Sequence, residues 1–155
     1  MKRTSRRVLL PLVMLLSSAV SAHTQTETII TKQETDMIFG IKRSAWEAHV
    51  RQMIHPKGWR MRLMPQETGT GYAAFDPATG VGLSVQPLFP DETNPPDMII
   101  VGSWYPIGRT RFTPAIVADI EKAAQRDLGP GYSVSAKTAS MGNFEGVELM
   151  VTRKK

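Results

Sequence analysis

The sequence predicts an α+β fold: an antiparallel, twisted β-sheet of five to seven strands packed with two main helices, over about residues 45–55 and 114–128. Three observations carry that expectation. Residues 113–152 read as one capped helix, a Gly-Pro-Gly stop and two strands. Elsewhere, short runs alternate apolar and polar residues with period two, the pattern of half-buried strands. The connections between neighbouring runs are too short for crossover helices, which favours hairpins.

In the 113–152 stretch, Thr113 stands as an N-cap and Pro114 occupies the first helical position, where its missing N–H costs nothing. Ile116, Val117, Ile120, Ala123, Ala124 and Leu128 recur at helical spacing and form one apolar stripe. Gly129 suits a left-handed C-terminal position, and Pro130 blocks continuation. Tyr132, Val134 and Ala136 then alternate as a strand, and Val147, Leu149 and Val151 do so again.

Earlier in the chain, Ser44-Ala-Trp-Glu47 has capping-box spacing, with Trp46, Val50, Met53 and Ile54 on one face of the helix that follows. Pro56 and Gly58 close that helix. Trp59, Met61 and Leu63 alternate with Arg60 and Arg62 as a strand. Tyr72-Ala-Ala-Phe75 and the Val81, Leu83, Val85 series flank the turn Asp76-Pro-Ala-Thr-Gly80 as a hairpin. Four prolines within 87–97 predict an exposed loop. The run 98–105 is apolar enough for an interior strand covered on both faces. Residues 37–41 form a brief apolar run that reads as an edge strand with Phe39 in the core. Residues 23–36 are polar and read as a flexible N-terminal arm, leaving 37–155 as a single domain.

The N-terminus predicts export. Residues 1–7 are basic, 8–16 are apolar apart from Pro11, and Ala19-Val-Ser-Ala22 offers small residues for cleavage, so 1–22 read as a signal peptide. Its apolar run is shorter than the about 20 residues of a membrane span, so no stable span is expected after cleavage. Ser5-Arg6-Arg7-Val8-Leu9-Leu10 also resembles a twin-arginine signal, leaving the export route open. The expected destination is the periplasm or the extracellular medium. Of the 19 basic side chains, four precede residue 22 without an acidic one; the remaining fifteen face 14 acidic side chains, a net charge of +1. The high pI of about 9.7 therefore belongs to the leader, and no nucleic-acid partner is implied. There are no cysteines, which excludes disulfides, thiolate nucleophiles and iron–sulfur clusters.

Chemistry-bearing patterns are few. No nucleophile elbow, zinc-protease helix, phosphate loop or dinucleotide fingerprint occurs, and the chain reads as a non-enzyme with no catalytic residues and no cofactor. Glu145 and Glu148 are three apart in a strand, hence on opposite faces and a poor carboxylate pair. His49 shares the helical face of Trp46 and reads as a boundary histidine, while His55 sits at a helix end. Cleavage after Ala22 would make His23 the first residue, and its amine and imidazole could chelate copper; a copper-binding protein is the alternative reading. Trp104, Tyr105, Arg109 and Arg111 form an aromatic and basic cluster at a strand end, residue types enriched at binding hot spots. They are the candidate partner-binding residues.

Pro56-Lys-Gly-Trp59, the Asp76–Gly80 turn, the capped helix followed by Gly131-Tyr132-Ser-Val134, and Gly146-Val-Glu-Leu149 together resemble the PsbP/DcrB superfamily of small exported α/β sandwich proteins, over about residues 56–152. The resemblance implies no shared catalytic residues and no cofactor. It implies an accessory protein that binds a protein or a component of the cell envelope.

Overall fold

The computed structural model describes residues 30–52, 57–109 and 111–155. The expected signal peptide, His23, His55 and the end of the helix expected to reach residue 55 lie outside the described residues. The elements are α1 (Lys32–Ile38), α2 (Arg43–Val50), β1 (Arg60–Met64), β2 (Gly71–Phe75), β3 (Gly82–Leu88), β4 (Met98–Pro106), α3 (Pro114–Leu128), β5 (Tyr132–Met141) and β6 (Phe144–Arg153). The six strands form one antiparallel sheet in the order β1-β2-β3-β4-β6-β5, and with the three helices they make the expected α+β fold.

Strand register assigns each side chain to a face, because successive residues alternate. Tyr72 pairs with Val85, Val85 with Val101, Val101 with Leu149 and Leu149 with Ala136. That row belongs to the face the helices cover. Ile38, Phe39, Trp46, Val50, Ile120, Ala124 and Leu128 cluster with it as one core. Burying a side chain such as Leu128 contributes about 1.5–3 kcal/mol. Trp46, fully buried, leans on Tyr72 with ring centroids 6.5 Å apart, and its indole N–H donates to the Thr70 carbonyl.

α3 forms as its caps dictate. The Thr113 hydroxyl accepts from the Ile116 N–H at 3.3 Å, Pro114 starts the helix, and Gly129 ends it at φ 82°. Its stripe seals onto β5. Gln125 and Glu121 then reach over the outer edge of that strand: the Val134 N–H donates to Gln125 Oε1 at 3.2 Å and the Ala136 N–H to Glu121 Oε2 at 2.7 Å.

Five expectations need correction. The described part of the segment read as a flexible arm is not loose. Ile30 is fully buried and Lys32–Ile38 is helical, started by a capping box in which the Thr31 hydroxyl accepts from the Glu34 N–H at 3.2 Å and Glu34 Oε2 accepts from the Thr31 N–H at 2.9 Å. Residues 37–41 therefore make no edge strand; Phe39 is core, but as the helix C-cap. The second helix starts at Arg43 rather than at a Ser44 cap. Its N-cap is Lys42 with no side-chain bond, and Glu47 lies 3.5 Å from the Arg43 guanidinium instead of closing a capping box on Ser44.

The proline-rich loop begins later than expected, since Pro87 and Leu88 belong to β3, paired with Ile99 and Met98. The Phe89 N–H donates to Thr68, away from β4, so the nitrogen of Pro87 also points that way, past the last β2–β3 pair, Tyr72 with Val85. No ladder bond is lost there, which removes the usual objection to proline in a sheet. Finally, β4 is interior but unevenly covered. Ile99 and Val101 are buried under the helices, whereas Met98 and Ile100 are half-buried on the opposite face.

Candidate functional site

On the face away from the helices, Trp104 is 2% exposed. Its indole N–H donates to the Ser84 hydroxyl at 2.8 Å, and its ring lies over Gly102 and Gly146. A Cβ on Gly102 would fall 2.5 Å from the indole nitrogen, so only glycine lets the ring settle there. Tyr105, the next residue, points to the helix side, where its ring meets Phe112 at 5.7 Å. These two aromatic residues anchor the C-terminal end of β4 from both faces.

The chain leaving that end is held in place by backbone bonds. The Ile107 N–H donates to the Asn143 carbonyl at 3.1 Å, Gly108 turns at φ 81°, and the Arg109 N–H closes on the Pro106 carbonyl at 3.1 Å. The Gly108 N–H donates to Glu145 Oε1 at 3.0 Å, tying this loop to β6. The Arg109 guanidinium donates to the Thr79 carbonyl in the β2–β3 turn. That turn is itself fixed by Asp76, whose carboxylate accepts from the Ala78 N–H and the Thr79 hydroxyl, each at 2.9 Å.

Between this loop and the β5–β6 hairpin lies an open cleft of about 890 Å³. Ile107, Arg109, Arg111 and Phe112 form one wall, Thr138, Ala139 and Ser140 the other, and Glu145 and Gly146 lie at the base. Of the four residues singled out from sequence, Arg109 and Arg111 reach the cleft. Trp104 and Tyr105 do not line it; they support its floor and wall. The arginines are exposed and make no ion pair among the described residues, although Arg109 satisfies one carbonyl. Ile107 is 61% exposed, the larger of two exposed large apolar side chains among the described residues. Two cationic forks beside an apolar contact surface can hold a carboxylate bidentately while burying apolar stem.

Thr138, Ser140 and Phe112 carry no site signal in the sequence, and Glu145 enters it only as half of a poor carboxylate pair. Their common surface arises from strand order, because β6 inserts between β4 and β5 and brings the hairpin end beside the loop after β4.

Several titratable groups outside the cleft have structural roles. His49 is half-buried against Trp46 at 6.0 Å, and burial pushes its pKa down. The Asp91 carboxyl is held well below its usual range by the Asn94 side chain and by the Thr93 and Asn94 N–H groups, which shape the proline-rich loop. Glu145 and Glu148 do face opposite ways: Glu148 pairs with Lys137 at 3.5 Å on the open sheet face, while Glu145 holds Gly108. Among the described residues no group of three or more His, Asp or Glu could hold a metal ion, and no helix is long and apolar enough to cross a membrane. No family model, no curated protein and no solved structure matches the chain.

Proposed function

We propose that the protein is an exported, non-enzymatic accessory protein that binds a protein or envelope partner through the cleft between the β4–α3 loop and the β5–β6 hairpin. One observation carries the reading: Arg109 and Arg111, without ion-pair partners among the described residues, share with the exposed Ile107 the lining of a cleft of about 890 Å³. That volume falls in the range of ligand-binding clefts, and the wall joins cationic forks to apolar surface. Two further features support the setting. The leader has the three-part pattern of an export signal. The sequence resembles the PsbP/DcrB superfamily, a resemblance that implies an accessory role. Fold alone constrains function weakly, so the cleft and not the sheet bears the argument.

Affinity capture from an envelope fraction tests it, comparing the wild-type protein with an Arg109→Ala, Arg111→Glu variant of unchanged melting temperature. A partner recovered by the wild type and lost with the variant is the expected result. A partner retained equally by both, or none recovered by either, overturns the proposal.

A further inference from the structure

β5 is an edge strand of the sheet, and its outer edge is only half covered. A β-edge exposes unpaired N–H and C=O groups at every second residue, and proteins cap such edges or use them. Here α3 supplies the caps. Gln125 takes the Val134 N–H at 3.2 Å and donates to the Tyr132 carbonyl at 3.0 Å, and Glu121 takes the Ala136 N–H at 2.7 Å. The β5–β6 register runs unbroken from Tyr132 to Met141, so alternation turns the backbone groups of Thr138 and Ser140 outward as well. Nothing among the described residues bonds to them. Both residues line the cleft, as do Arg109 and Arg111.

We propose that the partner enters as an extended, acidic peptide segment that adds a short strand to β5 at Thr138–Ser140. This rests on the cleft being the binding surface and specifies how the surface is used. Strand addition gains affinity from main-chain hydrogen bonds and specificity from pockets for alternate side chains. The α3 caps stop the added strand short of Ala136, which fixes its register. One side of the added strand then meets the arginine wall, where a carboxylate pairs with the Arg111 guanidinium while Arg109, bonded to the Thr79 carbonyl, adds to the positive field. Glu145 does not cancel this charge: a single carboxylate, already bonded to the Gly108 N–H, faces two guanidinium groups. A second copy of the chain is disfavoured as the occupant, because pairing two β5 edges would set one Arg109–Arg111 cluster against another. The chemistry therefore selects an acidic segment of a different protein.

The test uses the full mature chain and an N-acetylated, C-amidated peptide alternating Glu with Val and Thr. It is followed by amide NMR and by hydrogen exchange. Binding is expected to slow exchange of the Thr138 and Ser140 amides. A peptide with Lys in place of Glu is expected to bind at least about tenfold more weakly, as is one N-methylated at the amides facing β5. Thr138→Pro removes an outward N–H that the ladder does not use, so it is expected to leave the melting temperature within a few degrees while weakening binding about tenfold. Should that variant fail to fold, the N-methylated peptide decides alone. Binding that tolerates N-methylation and leaves Thr138 and Ser140 exchange unchanged overturns strand addition but leaves the cleft as a side-chain docking surface. No binding of the acidic peptide at millimolar concentration overturns the strand-addition proposal, while loss of the Arg109 and Arg111 dependence in partner capture overturns the cleft itself.

Discussion

Gly146 offers a sharp test of how the cleft is built. An ideal Cβ there would sit 1.9 Å from the Ser103 carbonyl oxygen and 3.1 Å from Trp104 Cε3. Ordinary contact begins at 3.4 Å, so 3.4 less 1.9 leaves a deficit of 1.5 Å. The nearer clashing atom is backbone of an interior strand and cannot rotate away. Gly146→Ala must therefore part β4 from β6 locally, within a ladder that runs from Met98↔Thr152 to Pro106↔Phe144. Overpacking of a tight interior costs about 1–3 kcal/mol, and each buried backbone group left unpaired adds about 1–3 kcal/mol. With one such group lost, the expected destabilisation is about 2–6 kcal/mol, which for a domain of this size is a fall in Tm on the order of 10–20 °C.

Two other glycines serve as controls. Gly131 has open space around its Cβ position and no positive φ, so Gly131→Ala should stabilise by about 0.4–1 kcal/mol through the unfolded chain. Gly129 also has open space but stands at φ 82°, so Gly129→Ala should cost about 1–3 kcal/mol by strain alone. Urea denaturation of the three variants supplies the measurement. A Gly146→Ala protein within 0.5 kcal/mol of wild type, about the spread of neutral surface changes, would refute the packing described at the cleft floor.

The other predictions concern burial and pH. Trp46→Phe keeps much of the buried ring but leaves the Thr70 carbonyl without its donor, so a loss of about 1–3 kcal/mol is expected in the same denaturation assay; an unchanged midpoint would contradict that bond. His49 has a folded-state pKa below its unfolded value of about 6.5. Between those two values the unfolded chain binds more protons than the folded one, so the contribution of His49 rises with pH across that window and is lost as pH falls through it. Melting curves at pH 7.5 and 5.5 should accordingly show a smaller acid-induced drop for His49→Gln than for wild type; equal drops would contradict it. Leu128→Ala, at a fully buried position where α3 meets the sheet, should cost about 2–5 kcal/mol, read in the same urea titration, and a loss below 1 kcal/mol would mean that α3 is not packed as described.

Where local signals agree, the sequence was read correctly. Thr113, Pro114, the apolar stripe and Gly129 each point to the same helix, and the alternation in β5 and β6 is unambiguous because one face is core and the other is not. α1 escaped notice because it is seven residues long and mostly polar, and what holds it is tertiary. Ile38 and Thr35 are buried, and the Tyr132 hydroxyl donates to Asp36 from the far end of the chain. Ser44 and Glu47 carried the spacing of a capping box that Thr31 and Glu34 form instead, since spacing alone does not fix the backbone geometry a cap needs. Pro87 was misplaced because its tolerance in a strand depends on where the neighbouring strand ends. The cleft was legible only as Arg109 and Arg111. Its other wall comes from a hairpin about thirty residues on, joined to the first by a strand order that no local pattern encodes.

Site-specific photo-crosslinking in the intact cell envelope tests the central claim most directly. Ile107 lies in the cleft and can be replaced by p-benzoylphenylalanine with both arginines retained, while Arg62 lies on the open sheet face and outside the cleft. A discrete crosslinked adduct is expected from position 107, abolished by Arg111→Glu, and none from position 62. An adduct from position 62 with none from position 107 would contradict it and move the binding surface to the open face of the sheet.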